Sequence, residues 1–259
     1  MEYFIIPLTA LIASILTFFS GFGLGTILLP AFILFFPPEI SILLTALVHF
    51  LNNIFKLGLI GGHIHKKTLL LFGVPALITA YFGAKTLIYL PTDSTLGSFE
   101  LLGLDINLTP LNLIVGSMMI GFSLLELLPA LKKIQFSNKW LVPGGVLSGY
   151  FGGLSGHQGA LRSAFLVKSG LSKEAYVSTG VGIACFVDLT RITVYFMDGK
   201  VMTEGINFTL LASAVVAAFV GAIIGKKLLK KITIGFIQNL VGIIMIVLGI
   251  GLILGFFTK

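Results

Sequence analysis

Apolar residues run along this chain in blocks, not in alternation. Ten blocks can be drawn, at 3–20, 22–36, 39–60, 68–90, 110–131, 139–153, 157–169, 173–197, 206–228 and 233–257. A helix rises about 1.5 Å per residue, so about 20 apolar residues cross a bilayer. Most of the blocks meet that length and predict spanning helices. Three do not, 22–36, 139–153 and 157–169, and all three flank or follow glycine-rich stretches. They predict either thin spans or half-helices that enter the membrane and return.

The polar residues between the blocks orient the chain. The loops 61–67, 132–139 and 226–232 carry lysines, including Lys66, Lys67, Lys132, Lys133, Lys139, Lys226 and Lys227, and by the positive-inside rule they face the cytoplasm. Loop 91–109 carries Asp93, Glu100 and Asp105 with no Lys or Arg, and loop 198–205 carries Asp198 and Glu204 against Lys200. Both are expected outside, as are both chain termini, giving an even number of crossings: ten, or eight with re-entrant pieces. The start, MEYFIIPLTALIASILTFF, lacks a basic leader and a cleavage site and is expected to be a spanning helix, with no soluble domain appended at either end.

Composition strengthens this picture. Of 259 residues, 56% are hydrophobic and 10% charged, with a mean hydropathy of +1.07, against about 25% charged residues in a soluble domain. The net charge of +7 sits mostly in the short loops and not in a basic patch, which excludes a nucleic-acid partner. The single cysteine, Cys185, forms no internal disulfide and fits no metal spacing.

The chain also repeats itself. GFGLGTILLPAFILFF (21–36) is echoed by GGLSGHQGALRSAFLV (152–167), and YFGAKTL (81–87) by FVGAIIGKKL (219–228). The pair Asn53 and Lys56 recurs 135 positions later as Asp188 and Arg191. The expected fold is an all-α integral membrane protein of two repeats, 1–131 and 139–259, joined by a cytoplasmic linker 132–138. Each repeat has about five hydrophobic segments, with broken or short helices at the glycine-rich motifs. Loop charges give the repeats opposite topology, an architecture that recurs in transporters.

The two glycine-rich stretches, with Gly21, Gly23, Gly25 and Pro30 in the first and Gly149–Gly159 in the second, resemble those of the sulfite exporter TauE/SafE family of membrane transporters. The likeness extends over essentially the whole chain, through length, hydropathy profile and duplication. It implies transport of small anions, often sulfur-containing, such as sulfite, sulfoacetate and related organosulfur compounds. Where that family's second motif usually has a glycine run followed by a proline, this chain reads SGHQGALRSAF (155–165).

The chemistry is expected at those stretches. Around 20–25 and 152–159 the helix is expected to stop and restart, exposing N–H groups and a dipole that favour an anion. Bare backbone at membrane depth is tolerated only inside protein or facing a cavity. The expected substrate-binding residues are Gly23, Gly25 and Thr26 (beside Ser20) at the first stretch, Ser155, Gly156, His157, Gln158 and Arg162 at the second, and Asn53 and Arg191. The chain has two arginines, neither in a loop. Arg162 has no acidic neighbour in sequence and is read as the anion ligand, its planar fork suiting an oxyanion. Arg191 is read either as a second ligand or as a structural partner of Asp188 three residues earlier. Lys56 is read as snorkelling to the interface. Asp188, Glu126, His49 and His157 are the candidates for carrying a coupling proton. His63 and His65 read as a solvated loop, and neither a metal nor a cofactor is implied. The partners expected are a small anion, the lipid bilayer, and protons or another coupling ion. The leading function is a secondary transporter working by alternating access; an anion channel of the same architecture is the alternative. An intramembrane enzyme would need a clustered acid–base or metal constellation, and no such motif is present.

Overall fold

In the computed structural model, residues 1–20, 24–91, 94–101, 104–132, 134–198, 206–228 and 234–256 are described. They form helices α1 (Glu2–Ser20), α2 (Leu24–Ile33), α3 (Pro38–Ile60), α4 (Lys66–Tyr89), α5 (Pro110–Leu127), α6 (Pro129–Lys132), α7 (Leu141–Ser155), α8 (Gly159–Leu166), α9 (Lys173–Asp198), α10 (Phe208–Leu228) and α11 (Ile234–Ile253). Gly21 and Gly23 of the first glycine-rich stretch lie outside the described residues, as does the side chain of Ser20. The same holds for Asp93, Lys133, Lys200 and Glu204 in the loops.

Helix starts follow local chemistry. Pro38 and Pro110 open α3 and α5, where a missing N–H costs nothing, and the Thr109 hydroxyl caps α5 by accepting from Asn112 N at 3.2 Å. His65 caps α4 through the N–H of Thr68, so this histidine of the loop serves the fold. Helices α3, α4, α5, α9 and α10 are long and apolar enough to cross a membrane. The 10 residues of α2 and the 8 of α8 rise only about 15 and 12 Å.

One departure from an all-α chain sits in the acidic loop. Residues Gly97–Leu101 (β1) and Leu104–Leu108 (β2) pair as an antiparallel hairpin, Gly97 opposite Leu108 and Leu101 opposite Leu104. The segment has a period-two apolar pattern, and Ile106 of β2 is buried at 1% exposure.

Glycines set the closest helix contacts. Gly145, Gly149 and Gly153 recur every four residues down one face of α7. A methyl on each would land on a backbone carbonyl of α4, that of Phe72, Ala76 and Ala80 respectively. The α4 glycine Gly83 meets α7 in the same way at Tyr150. Bare faces of this kind let helix backbones touch. Gly152 and Gly153, expected within a break, are therefore helical, and the interruption narrows to Gly156–Gln158.

These contacts also fix helix directions. Leu11 and Ile15 of α1 meet Gly221 and Gly225 of α10 in register, so α1 and α10 run parallel, as α4 and α7 do. Leu69 faces Gly182 and Gly73 faces Phe186, making α4 and α9 parallel. Ser14 bonds Asn52 and Phe18 lies under Lys56, so α1 and α3 are parallel. His65 N donates to Thr179 Oγ1 while His49 reaches Asp188, so α3 and α9 are antiparallel. Gly116 meets Gly249 and Leu127 meets Gly242, so α5 and α11 are antiparallel as well.

Candidate functional site

The site grows from the middle of α3 and α9, where they face each other. His49 and Asn53 are one turn apart on α3, and both are buried. Asn53 Nδ2 donates to His49 Nε2 at 3.2 Å. His49 Nδ1 approaches Asp188 Oδ2 to 2.6 Å. The other carboxylate oxygen, Oδ1, accepts from Arg191 Nε at 3.1 Å and Nη2 at 2.9 Å. The ring thus accepts on Nε2, and its Nδ1 lies beside a carboxylate oxygen. That arrangement selects the neutral tautomer with the proton on Nδ1.

Asp188 and Arg191 are both 0% exposed and neutralise each other within one helical turn. Breaking one member of such a buried pair leaves an uncompensated charge. Asp188→Asn is expected to destabilise the fold by about 3–5 kcal/mol, while Asp188→Leu combined with Arg191→Leu recovers most of the loss. Thermal unfolding in detergent measures both; equal stability of Asp188→Asn and wild type would refute the structural role.

The glycine motifs meet at this cluster. Gly156 ends α7 at φ +84°, a conformation that favours glycine, and a side chain there would strike Arg191 Nη1. A Cβ on Gly25 of α2 would lie 3.9 Å from the Gly156 carbonyl and 4.0 Å from the His49 ring. Thr26, the next residue, is buried. Beyond Gly156, His157 Nδ1 and Ser155 Oγ are 2.9 Å apart, and the His157 ring stacks on Phe122 of α5 at 5.6 Å. Gln158 Oε1 accepts from Arg162 Nη1 at 3.4 Å.

Arg162 points from α8 into a cavity bounded by α1, α2, α3, α8 and α9. Its wall includes Thr17, His49, Asn53, Lys56, Arg162 and Tyr176. Tyr176 donates to Ser163 Oγ at 3.0 Å and ties α8 to α9, and Gly180 lies under the guanidinium. Lys56 does not snorkel. It is 3% exposed, its Nζ lies 5.4 Å from the centre of the Phe18 ring, and the amide oxygen of Asn52, suitably oriented, accepts from it at 3.3 Å. No carboxylate lines the cavity among the described residues.

Of the expected site residues, Arg162 and Asn53 line this cavity together, with His49 from the proton-carrying candidates. Arg191 and Asp188 stand behind His49. Ser155, Gly156, His157 and Gln158 form the turn that carries Arg162, off the cavity wall. Glu126 is buried in α5 and is not on the wall either. Gly23 lies outside the described residues. Lys56 and Tyr176 were missed. The signal for Lys56 was its repeat position, the counterpart of Arg191.

A bundle of long apolar helices thus encloses a cavity lined by Lys56 and Arg162 beside the short helices α2 and α8. The family model described as "Sulfite exporter TauE/SafE" matches residues 6–252. The chain belongs to that family. A search of curated proteins and a search of solved structures find no match.

Proposed function

We propose that this protein is a secondary transporter for a small anion, sulfur-containing as in sulfite or an organic sulfonate, which binds between Lys56 and Arg162. The observation that carries the reading is that two cationic side chains share one cavity, on whose wall no carboxylate stands among the described residues. Burying cations at membrane depth is costly, and an anion between them offsets that cost. Arg162 offers a planar fork and Lys56 a point charge with three donors.

Alternating access is supported by the packing. With 135 residues separating the starts of α3 and α9, each contact has a counterpart in the other half: α1 with α10 and α7 with α4, α2 with α3 and α8 with α9. The equivalent helices α3 and α9 run antiparallel, as do α5 and α11, the relation expected of inverted repeats. Following the directions, the start of α1 and the end of α11 fall on one side. Loop charge makes that side external, and the linker 132–138 cytoplasmic. Because α1 and α3 run parallel, as α7 and α9 do, the short α2 and α8 carry the chain back across the membrane from opposite faces, giving ten crossings.

A thermal-shift screen of the purified protein against sulfite, methanesulfonate, thiosulfate and acetate tests the site. A sulfur oxyanion at 100 times its Kd is expected to stabilise the fold by about 2.7 kcal/mol, because it binds the folded state alone. No shift with any of them would refute the reading. Uptake that builds a gradient marks a transporter; unitary currents would mark a channel.

A further inference from the structure

We propose that His49 takes up a proton when the anion enters, so that anion and proton bind as a linked pair. The inference rests on the anion site just described. Among the described residues, His49 is the one titratable group that both lines the cavity wall and touches Asp188 of the Asp188–Arg191 pair. Its Nδ1 already faces Asp188 Oδ2 at 2.6 Å, so a second proton must go to Nε2, which now accepts from Asn53 Nδ2. Nε2–H and Nδ2–H cannot point at each other. Protonation therefore forces the Asn53 amide to turn its oxygen to the ring and its NH2 away. Asn53 lines the cavity, so the turned amide presents donors to the anion.

The charges around the ring make this step conditional. Asp188 and Arg191 of α9 cancel, leaving the ring beside a neutral pair. Arg162 of α8 and Lys56 of α3 share the cavity wall with it, and both oppose a third positive charge. The other titratable groups nearby are Tyr176 on the wall, Tyr195 and the buried thiol of Cys185 of α9, which face the Asp188–Arg191 pair, and His157 of the α7–α8 turn, which faces Arg191. Among the described residues α2 brings Leu24 and Gly25 and α1 brings Thr17 and Phe18 to this region, none of which titrates, while Lys226 of α10 lies at the far end of α3 against the Leu59 carbonyl. With the cavity empty, a charged His49 makes three cations; with an anion present, the same proton lowers the energy. The proton comes from water through the cavity, adds to Nε2, and leaves when the anion does. No bond to the anion forms or breaks.

The test uses the full-length protein in detergent with methanesulfonate and thiosulfate, whose charge is constant between about pH 5 and 8, the range in which histidine titrates. Calorimetry in two buffers of different ionisation enthalpy counts protons taken up per anion bound. Wild type is expected to take up close to one proton near the upper end of that range, and its affinity to fall by up to about tenfold per pH unit there. His49→Gln, which keeps a hydrogen-bonding side chain, is expected to bind more weakly, with no proton uptake and a flat pH profile. Wild type alone decides the matter if the variant misfolds: binding without proton uptake overturns the linkage and leaves the anion site standing. Uptake that persists in His49→Gln and vanishes in Glu126→Gln overturns the assignment to His49. Failure of wild type to bind either anion at any pH overturns the anion site and the linkage together.

Discussion

Vesicles containing Arg162→Ala are expected to accumulate sulfite at least ~10-fold, and up to ~150-fold, more slowly than wild type, because a charge-assisted hydrogen bond contributes about 1.5–3 kcal/mol. The loss reflects position as well as charge. Arg162 sits on α8, eight residues held by the Gly156 turn at one end and by the Tyr176–Ser163 bond to α9, so its fork is presented from a fixed support. Removing it leaves Lys56, among the described residues, as the one charged side chain on the wall besides the titratable His49. Arg162→Lys keeps the charge and loses the fork, and is expected to fall between the two. Radiolabelled sulfite uptake, with gel filtration and circular dichroism confirming folded protein, measures all three. Wild-type accumulation by folded Arg162→Ala would remove the arginine from the site.

A second large loss of stability is expected elsewhere, on the glycine face of α7. In Gly153→Ala the new methyl falls on the Ala80 carbonyl of α4, and neither backbone can move without carrying Gly149 and Gly145 with it. Overpacking costs about 1–3 kcal/mol even where side chains can yield, and here the obstacle is main chain. A melting temperature lowered by about 6–12 °C follows from a 3 kcal/mol loss at this chain length. Gly121→Ala in α5 is the matched control. Nothing lies within 4 Å of its added methyl, and alanine favours helix over glycine by up to about 1 kcal/mol, so its melting temperature is expected to hold or rise. A Gly153→Ala protein melting with wild type would mean that α4 and α7 are not locked backbone to backbone.

Much of the architecture was legible in one dimension. Apolar runs of about 20 residues have few folded alternatives, and Pro38 and Pro110 mark helix starts by chemistry that acts locally. The Asp188–Arg191 pair was also readable, since residues three apart share a helix face. What escaped depends on which helix faces which. A four-residue glycine spacing says that a helix packs closely through a bare face, but Gly152 and Gly153 were assigned to a break because glycine serves both purposes. Lys56 was assigned to the interface from its place near a helix end; the ring of Phe18 and the amide of Asn52, which retain it inside, come from tertiary packing. The β1–β2 hairpin was hidden because five-residue strands in a polar loop carry a weak signal beside 20-residue helices.

The pairing of α1 with α10 has a consequence for how the protein is made. Leu11, Ser14, Ile15 and Phe18 form the face of α1 on which Gly221 and Gly225 of α10 close. At synthesis rates of about 5–20 residues per second, α10 leaves the ribosome some 10–40 s after α1. During that interval the first helix of the chain lies in the membrane with its tightest contact unmade. A ribosome that stops before Phe208 therefore releases a chain whose first helix still lacks its partner, and a quality-control protease can read that bare face as a sign of incomplete synthesis.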